Sequence, residues 1–161
     1  MKMKASRWFG AVLVAATCAI PLCGGFHGSP VLNAAEEGDL EKVKLLLKQG
    51  RSINERDPRV KFGWTPLIAA IYQRNTNVVH YPIESGADVN IPDSSGKTAI
   101  MWAMVSNENL DIVKGLIAHG ADLNARDKMG ATVLSYASSD PPKPRLLEVV
   151  KAAIAQQEQT K

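Results

Sequence analysis

The feature that most constrains this chain is that it copies itself. When the sequence is superposed on itself, Asp57, Asp93 and Asp127 fall in one column and Gly63, Gly96 and Gly130 in the next. Further columns hold Thr65, Thr98 and Thr132, then Gly50, Gly86 and Gly120, then Asn54, Asn90 and Asn124. Successive members are 33 to 36 residues apart. Self-similarity at a fixed period of this length marks a solenoid, in which each unit buries its apolar face only against its neighbours.

The unit is clearest from Gly96 to Asp127. Thr98 stands where it could cap a short helix, Thr98 to Ser106, whose Ile100, Met101, Ala103 and Met104 recur at helical spacing. A polar turn, Asn107 to Asn109, ends it. The second helix, Leu110 to His119, carries Leu110, Ile112, Val113, Leu116 and Ile117 as a broad apolar stripe for the first helix and the next unit. Gly120 supplies the left-handed residue that stops it. Asp122 to Gly130 then reads as an extended, turn-rich finger, and the recurrent Asp-x-x-Gly and Asn columns are turn chemistry.

These residues resemble the ankyrin repeat. Its pattern, roughly D-x-x-G-x-T-P-L-H-x-A-A followed by V-V-x-x-L-L-x-x-G-A-x-V-N, is matched by DPRVKFGWTPLIAAI with NVVHYPIESGADVN, and again by DSSGKTAIMWAM with DIVKGLIAHGADLN. The likeness runs over residues 29 to 155. One position departs: the usual histidine is Ile68, Met101 or Ser135, so its hydrogen-bond role is absent. The resemblance implies an all-α ankyrin solenoid of four helix-turn-helix repeats joined by β-turn fingers, at 29–56, 57–92, 93–126 and 127–157, within a domain spanning 26–161. It also implies a non-catalytic protein-binding module whose concave face is made by first helices and finger tips. In the family the position after the histidine points into that concavity, which here is Asn33, Ala69, Trp102 and Tyr136.

Residues 1–25 read as a secretory signal peptide. Lys2, Lys4 and Arg7 lead, Trp8 to Leu22 is apolar apart from Thr17, and Cys23, Gly24 and Gly25 follow. The apolar stretch, broken by Pro21, is short for a membrane span, which needs about twenty residues; an uncleaved anchor is the alternative. A lysine-led segment of this style points to bacterial export, hence a periplasmic or secreted protein with no membrane insertion after cleavage. Neither cysteine, Cys18 or Cys23, has the small preceding residue that a lipid-modified cysteine wants. Cleavage near Gly25 leaves a mature chain with no cysteine, held by its helical core alone. The same three cations account for the whole net charge of +3. The remainder is neutral, which argues against nucleic acid as a partner, since phosphate binding needs a surplus of Lys and Arg.

The first repeat should act as an N-terminal cap. Its helix Leu40 to Lys48 offers Val43, Leu45, Leu46 and Leu47 as an apolar side and is otherwise polar. In the second, Pro82 occupies the column of Leu46 and Leu116, inside the helix Asn77 to Ser85, where a proline costs about 3 kcal/mol. The fourth replaces its turn with Ser138 to Pro144, a stiff linker, and closes with a helix from Arg145 to Gln157 that buries Leu146, Leu147, Val149, Val150, Ala153 and Ile154.

No catalytic constellation is present: His27, His80 and His119 are scattered, and no G-x-S-x-G, H-E-x-x-H or phosphate-cradling loop occurs. Neither a cofactor nor a metal is expected, and the chain is expected to be a monomer. The candidate contact residues lie elsewhere. The finger between Asp57 and Gly63 is three residues longer than the later ones and offers Arg59, Lys61 and Phe62, with Trp64 just beyond. Charge combined with aromatic area favours binding hot spots. Trp102 and Tyr136 add an aromatic patch on adjacent repeats, flanked by Tyr72, Arg126 and Lys128. The expected function is to bind a partner protein in the bacterial envelope, either an enzyme it protects or a secreted toxin it neutralises. A membrane-anchored scaffold is the other reading.

Overall fold

The structure, a computed structural model, describes residues 29–56, 62–106, 109–139 and 143–159. The signal segment, Arg59, Lys61 and the turn residues 107 and 108 lie outside the described residues. Eight helices and no strand occur among those described: α1 Pro30–Glu37, α2 Leu40–Lys48, α3 Pro66–Tyr72, α4 Thr76–Glu84, α5 Ala99–Ser106, α6 Leu110–Ala118, α7 Val133–Ala137 and α8 Pro144–Gln159. They pair as antiparallel hairpins, α1 with α2 through α7 with α8. The odd-numbered helices pack side by side as an inner layer and the even-numbered ones as an outer layer.

Short helices of this length are marginal alone, so caps and packing decide them. Ser29, Thr65 and Thr132 each accept a hydrogen bond from the amide three residues on, the N-cap arrangement that satisfies an orphan donor. Thr98 does not do so: its hydroxyl is buried with no hydrogen-bond partner, although its carbonyl accepts from the Trp102 amide as the Thr65 and Thr132 carbonyls accept from Ala69 and Tyr136. The core runs the length of the stack, from Val31 and Val43 through Ile68, Ile71 and Val79 to Met101, Met104, Ile112, Leu116 and Val150.

Leu45 was expected on the buried side of α2 and is 54% exposed. It stands two residues from the buried Val43, about 200° around the helix, and so faces the opposite way. Pro82 sits buried inside α4, which stays helical across it. The C-terminal helix begins earlier than its apolar pattern indicated. Pro144, assigned to the linker by sequence, is its first residue, where a missing N–H costs nothing.

The fingers are tied to each other rather than to the helices alone. Asn54 accepts from the Asp88 amide, and Asn90 accepts from the Asp122 amide while donating to the Gly120 carbonyl. At the tips, the Ser94 amide donates to the Phe62 carbonyl at 2.8 Å and the Lys128 amide to the Ser95 carbonyl at 3.0 Å. The approach there is close. A Cβ added at Gly96, whose φ is +85°, would stand 2.9 Å from the Lys128 nitrogen, so both the backbone angle and the space require glycine.

Candidate partner-binding site

The site grows from two aspartates in the finger turns. Asp93 is buried, and its Oδ1 accepts from the amides of Ser95 and Lys97 and from the Ser95 hydroxyl. Its Oδ2 accepts from Trp102 Nε1 at 2.9 Å. Asp127 repeats the arrangement one unit later: Oδ1 takes the amides of Met129 and Ala131, and Oδ2 takes the Tyr136 hydroxyl at 2.5 Å. Each aspartate therefore shapes its own turn and also fixes the aromatic side chain that the following inner helix projects. The turn role was legible from the Asp-x-x-Gly column; the hold on the aromatics was not, because it joins residues nine apart on different elements.

The electrostatics follow from these bonds. Burial alone would raise the Asp93 carboxyl, but the hydrogen bonds from Ser95, the Lys97 amide and Trp102 outweigh it and hold the group below the usual carboxylate range. For Asp127 the Tyr136 hydroxyl is the largest influence, and it prevails over burial with help from two backbone amides and the nearby Lys97 charge, again lowering the group. Tyr136 is correspondingly pushed up, by burial first and then by its bond to Asp127.

Around Trp102 the structure assembles a continuous aromatic cluster. Trp64 lies 5.5 Å from Trp102 and Tyr72 5.4 Å from it, both in T-shaped contact. Trp64 also packs against Tyr72 at 4.6 Å and stacks with Phe62 at 5.1 Å. Lys97 reaches over the Trp102 and Tyr136 rings, with Nζ 5.5 and 5.9 Å from their centroids, a cation–π arrangement that joins them. Trp64 and Lys97 occupy the same column, immediately before the same-register threonines Thr65 and Thr98 of the two repeats, which is why both flank Trp102.

The candidates chosen from sequence are thus sorted by depth. Phe62 and Tyr72 are 45% and 44% exposed and form the outer edge of the cluster. Trp102 and Tyr136 are half-buried. Trp64, expected at a finger tip, is only 6% exposed and sits beneath its neighbours. Its position next to the glycine of the long finger brings it under Phe62 instead of out to solvent. Its Nε1 is buried with no hydrogen-bond partner. Arg126 and Lys128 are exposed on the third finger, Arg126 donating to the Gly130 carbonyl. Lys97, Arg56 and the two aspartates were missed. Arg56, exposed, donates to the Gly63 carbonyl in the same way as Arg126, a repeat-to-repeat correspondence that the sequence does carry.

Among the described residues no group of His, Cys, Asp and Glu is arranged to hold a metal ion, and no helix is long and apolar enough to cross a membrane. His80 on α4 and His119 at the C-cap of α6 are both exposed, His119 bonded to the Gly115 carbonyl.

The family model for ankyrin repeats, in three copies, matches residues 31–127, more than half of the chain. The chain belongs to the ankyrin-repeat family. Among its relatives, Ankyrin repeat and SAM domain-containing protein 6 of Rattus norvegicus is 34% identical over 89 residues, which is 55% of this chain and 10% of that protein. Protein phosphatase 1 regulatory subunit 27 of Homo sapiens is 40% identical over 63 residues, 39% of each chain. The mitochondrial disaggregase of Homo sapiens is 35% identical over 63 residues, 39% of this chain and 8% of that one. The ankyrin chain described here thus spans about a tenth of the length of the first of these. Ankyrin repeats generally mediate protein–protein interaction and are typically non-catalytic, and the all-helical array seen here, inner and outer layers with stacked fingers, is that architecture.

Proposed function

We propose that this ankyrin array is a non-catalytic binding module of the bacterial envelope, exported by its N-terminal segment to the periplasm, which docks a partner protein on the face formed by inner helices and finger tips. The observation that carries the docking face is the aromatic cluster at its centre. Phe62 and Tyr72 keep nearly half their surface open while resting on a rigid base of Trp64 and Trp102. Pre-ordered aromatic area of this kind loses little conformational entropy on binding, which is why such residues dominate hot spots. The export reading rests on the lysine-led apolar segment at residues 1–25.

Affinity capture of the tagged chain from the envelope fraction of its host tests the reading. The expected result is a specific partner retained by the parent and lost with Phe62→Ala and Tyr72→Ala together, each exposed enough to leave the fold in place. Trp102→Ala is a poor control, because it also strips Asp93 of a hydrogen bond. A partner that binds the double variant undiminished would move the site off this face. Cell fractionation checks the location: a full-length chain pelleting with membranes would favour an anchored scaffold over a free periplasmic module.

A further inference from the structure

We propose that the partner presents to this face an extended acidic segment, with glutamate or aspartate flanking an aromatic or large aliphatic anchor. The inference rests on the protein-binding reading above and adds the chemistry of the ligand. Its basis is the sign of the accessible charge. The two carboxylates at the centre, Asp93 and Asp127, are buried, and their oxygens are taken up by the donors of their own turns and by Trp102 and Tyr136. Buried, they are out of contact reach of a ligand's cation. Among the described residues, the charged side chains that reach the surface along the finger tips are Lys128, Arg56 and Arg126, the two arginines each also donating to a finger carbonyl, and Lys97 between the two aromatic rings. Glu55, beside Arg56, is partly buried and paired with Arg51, and the exposed Asp88 and Asp122 sit at the finger bases, where each accepts from an amide of its own turn. A chain that is neutral beyond its leader therefore shows a cationic edge beside its exposed aromatic rings, and complementary charge is what selects and orients a partner there.

The balanced charge of the chain beyond its leader weighs against a nucleic-acid strand, whose phosphates need a surplus of Lys and Arg, and the two central rings are covered rather than open for stacking. Trp102 has T-shaped contacts with two rings and an ammonium above it, and Trp64 is sandwiched beneath Phe62 and Tyr72. What Phe62 and Tyr72 leave open suits an inserted side chain. Val105, one helical turn beyond Trp102 in the Tyr72 column, is also exposed and extends the apolar strip along α5. An extended segment running across the repeats would set its anchor on this strip and its carboxylates against Lys97, Arg126 and Lys128.

Random-peptide display on the intact tagged chain, followed by fluorescence titration of the selected peptides, tests this. Enriched peptides should carry acids around an aromatic or leucine anchor. Arg126→Glu with Lys128→Glu should weaken them by about tenfold or more, and affinity should fall as salt rises. Lys97→Met, which keeps the aliphatic stem, should weaken them less. Selected peptides with no excess of acid, peptides indifferent to the charge reversal, failure to enrich any peptide, or tighter binding of a single-stranded oligonucleotide would each overturn the proposal. Neutral or basic peptides lost on Phe62→Ala and Tyr72→Ala would sink the charge inference alone and leave the protein-binding face standing, whereas peptides that ignore every one of these residues would sink both.

Discussion

The second and third repeats each set a helix pair behind a finger, the second repeat's finger being three residues longer, and their polar groups are settled at different places. In the third, α6 is capped by Asn109, which accepts from the Asp111 amide, and Leu116 is fully buried at its centre. In the second, α4 has no side-chain cap, and the Asn75 side chain instead turns to the first repeat, where its Nδ2 donates to the carbonyls of Ala35 and Glu36, and Pro82 stands in place of the leucine. Trp102 in α5 satisfies its ring N–H on Asp93; Trp64, leading into α3, leaves its own unpaired. The inner helix of the second repeat closes through Arg74 in left-handed conformation, φ 61°. The third repeat has one unpaired group of this kind, the Thr98 hydroxyl. Strain gathers in the repeat that supplies Phe62, Trp64 and Tyr72, and such concentration is characteristic of surfaces kept for binding rather than for stability.

The largest expected effect lies on the well-settled side. Asp93→Ala removes the acceptor for two amides, a hydroxyl and the Trp102 ring, at a cost of about 3 kcal/mol in chemical unfolding. A loss under about 1 kcal/mol would mean that water replaces the carboxylate freely. The same contact sets a pH dependence. Because both Asp93 and Asp127 are held below their ordinary value in the folded chain, their contribution is complete above about pH 4 and is lost as the pH falls through the lowered folded-state values. The Asp93→Ala variant should show a shallower decline across that acid range.

One substitution made at two positions sharpens the comparison. Trp102→Phe breaks the bond to Asp93 and should cost about 2 kcal/mol. Trp64→Phe breaks no hydrogen bond and deletes an unpaired buried donor, so the lost ring area is largely offset and the change should stay within about 1 kcal/mol. Thermal or denaturant unfolding of the two variants side by side is the measurement. Equal losses would mean that Trp64 finds a partner in solution and that the second repeat is not under-satisfied.

Much of this architecture was open to reading in the sequence, for a specific reason: a solenoid's contacts are local, so the columns of Asp, Gly, Thr and Asn report its turns and caps almost directly. Helix ends came within a residue or two, as α2 and α6 illustrate. What escaped were contacts between elements. Nothing in the spacing of Asp93 and Trp102 announces a hydrogen bond across nine residues, and Trp64 looked like a finger-tip residue because burial beneath Phe62 and Tyr72 depends on the path of the finger. Thr98 fits the capping column yet does not cap, so a column predicts a residue's place better than its bond.

Relief of the second repeat should be measurable. Pro82→Leu restores a backbone donor toward Val78 and a side chain in the Leu46 and Leu116 column. The proline's cost of about 3 kcal/mol is partly spent on fitting the larger residue into an already buried site, so the net gain should be about 2 kcal/mol, read as a higher melting temperature. An unchanged or lower midpoint would show that α4 and its neighbours are shaped around the ring.

The smallest effect tests the same idea at one backbone angle. Arg74 follows the C-cap of α3, where its φ of 61° places its Cβ against the backbone, whereas Gly38 does the corresponding duty after α1 at 76° without a side chain. The Arg74 side chain is exposed, so replacing it removes little packing. Arg74→Gly should therefore stabilise the chain by about 1 kcal/mol, the relief of left-handed strain less the added freedom of the unfolded glycine. Because the Arg74 side chain takes no part in the aromatic cluster, binding at that face should not change. If the variant gains stability and also loses affinity, then strain in α3 is part of how Tyr72, two residues before Arg74, is presented, and the difference between the two repeats is functional at the level of single backbone angles.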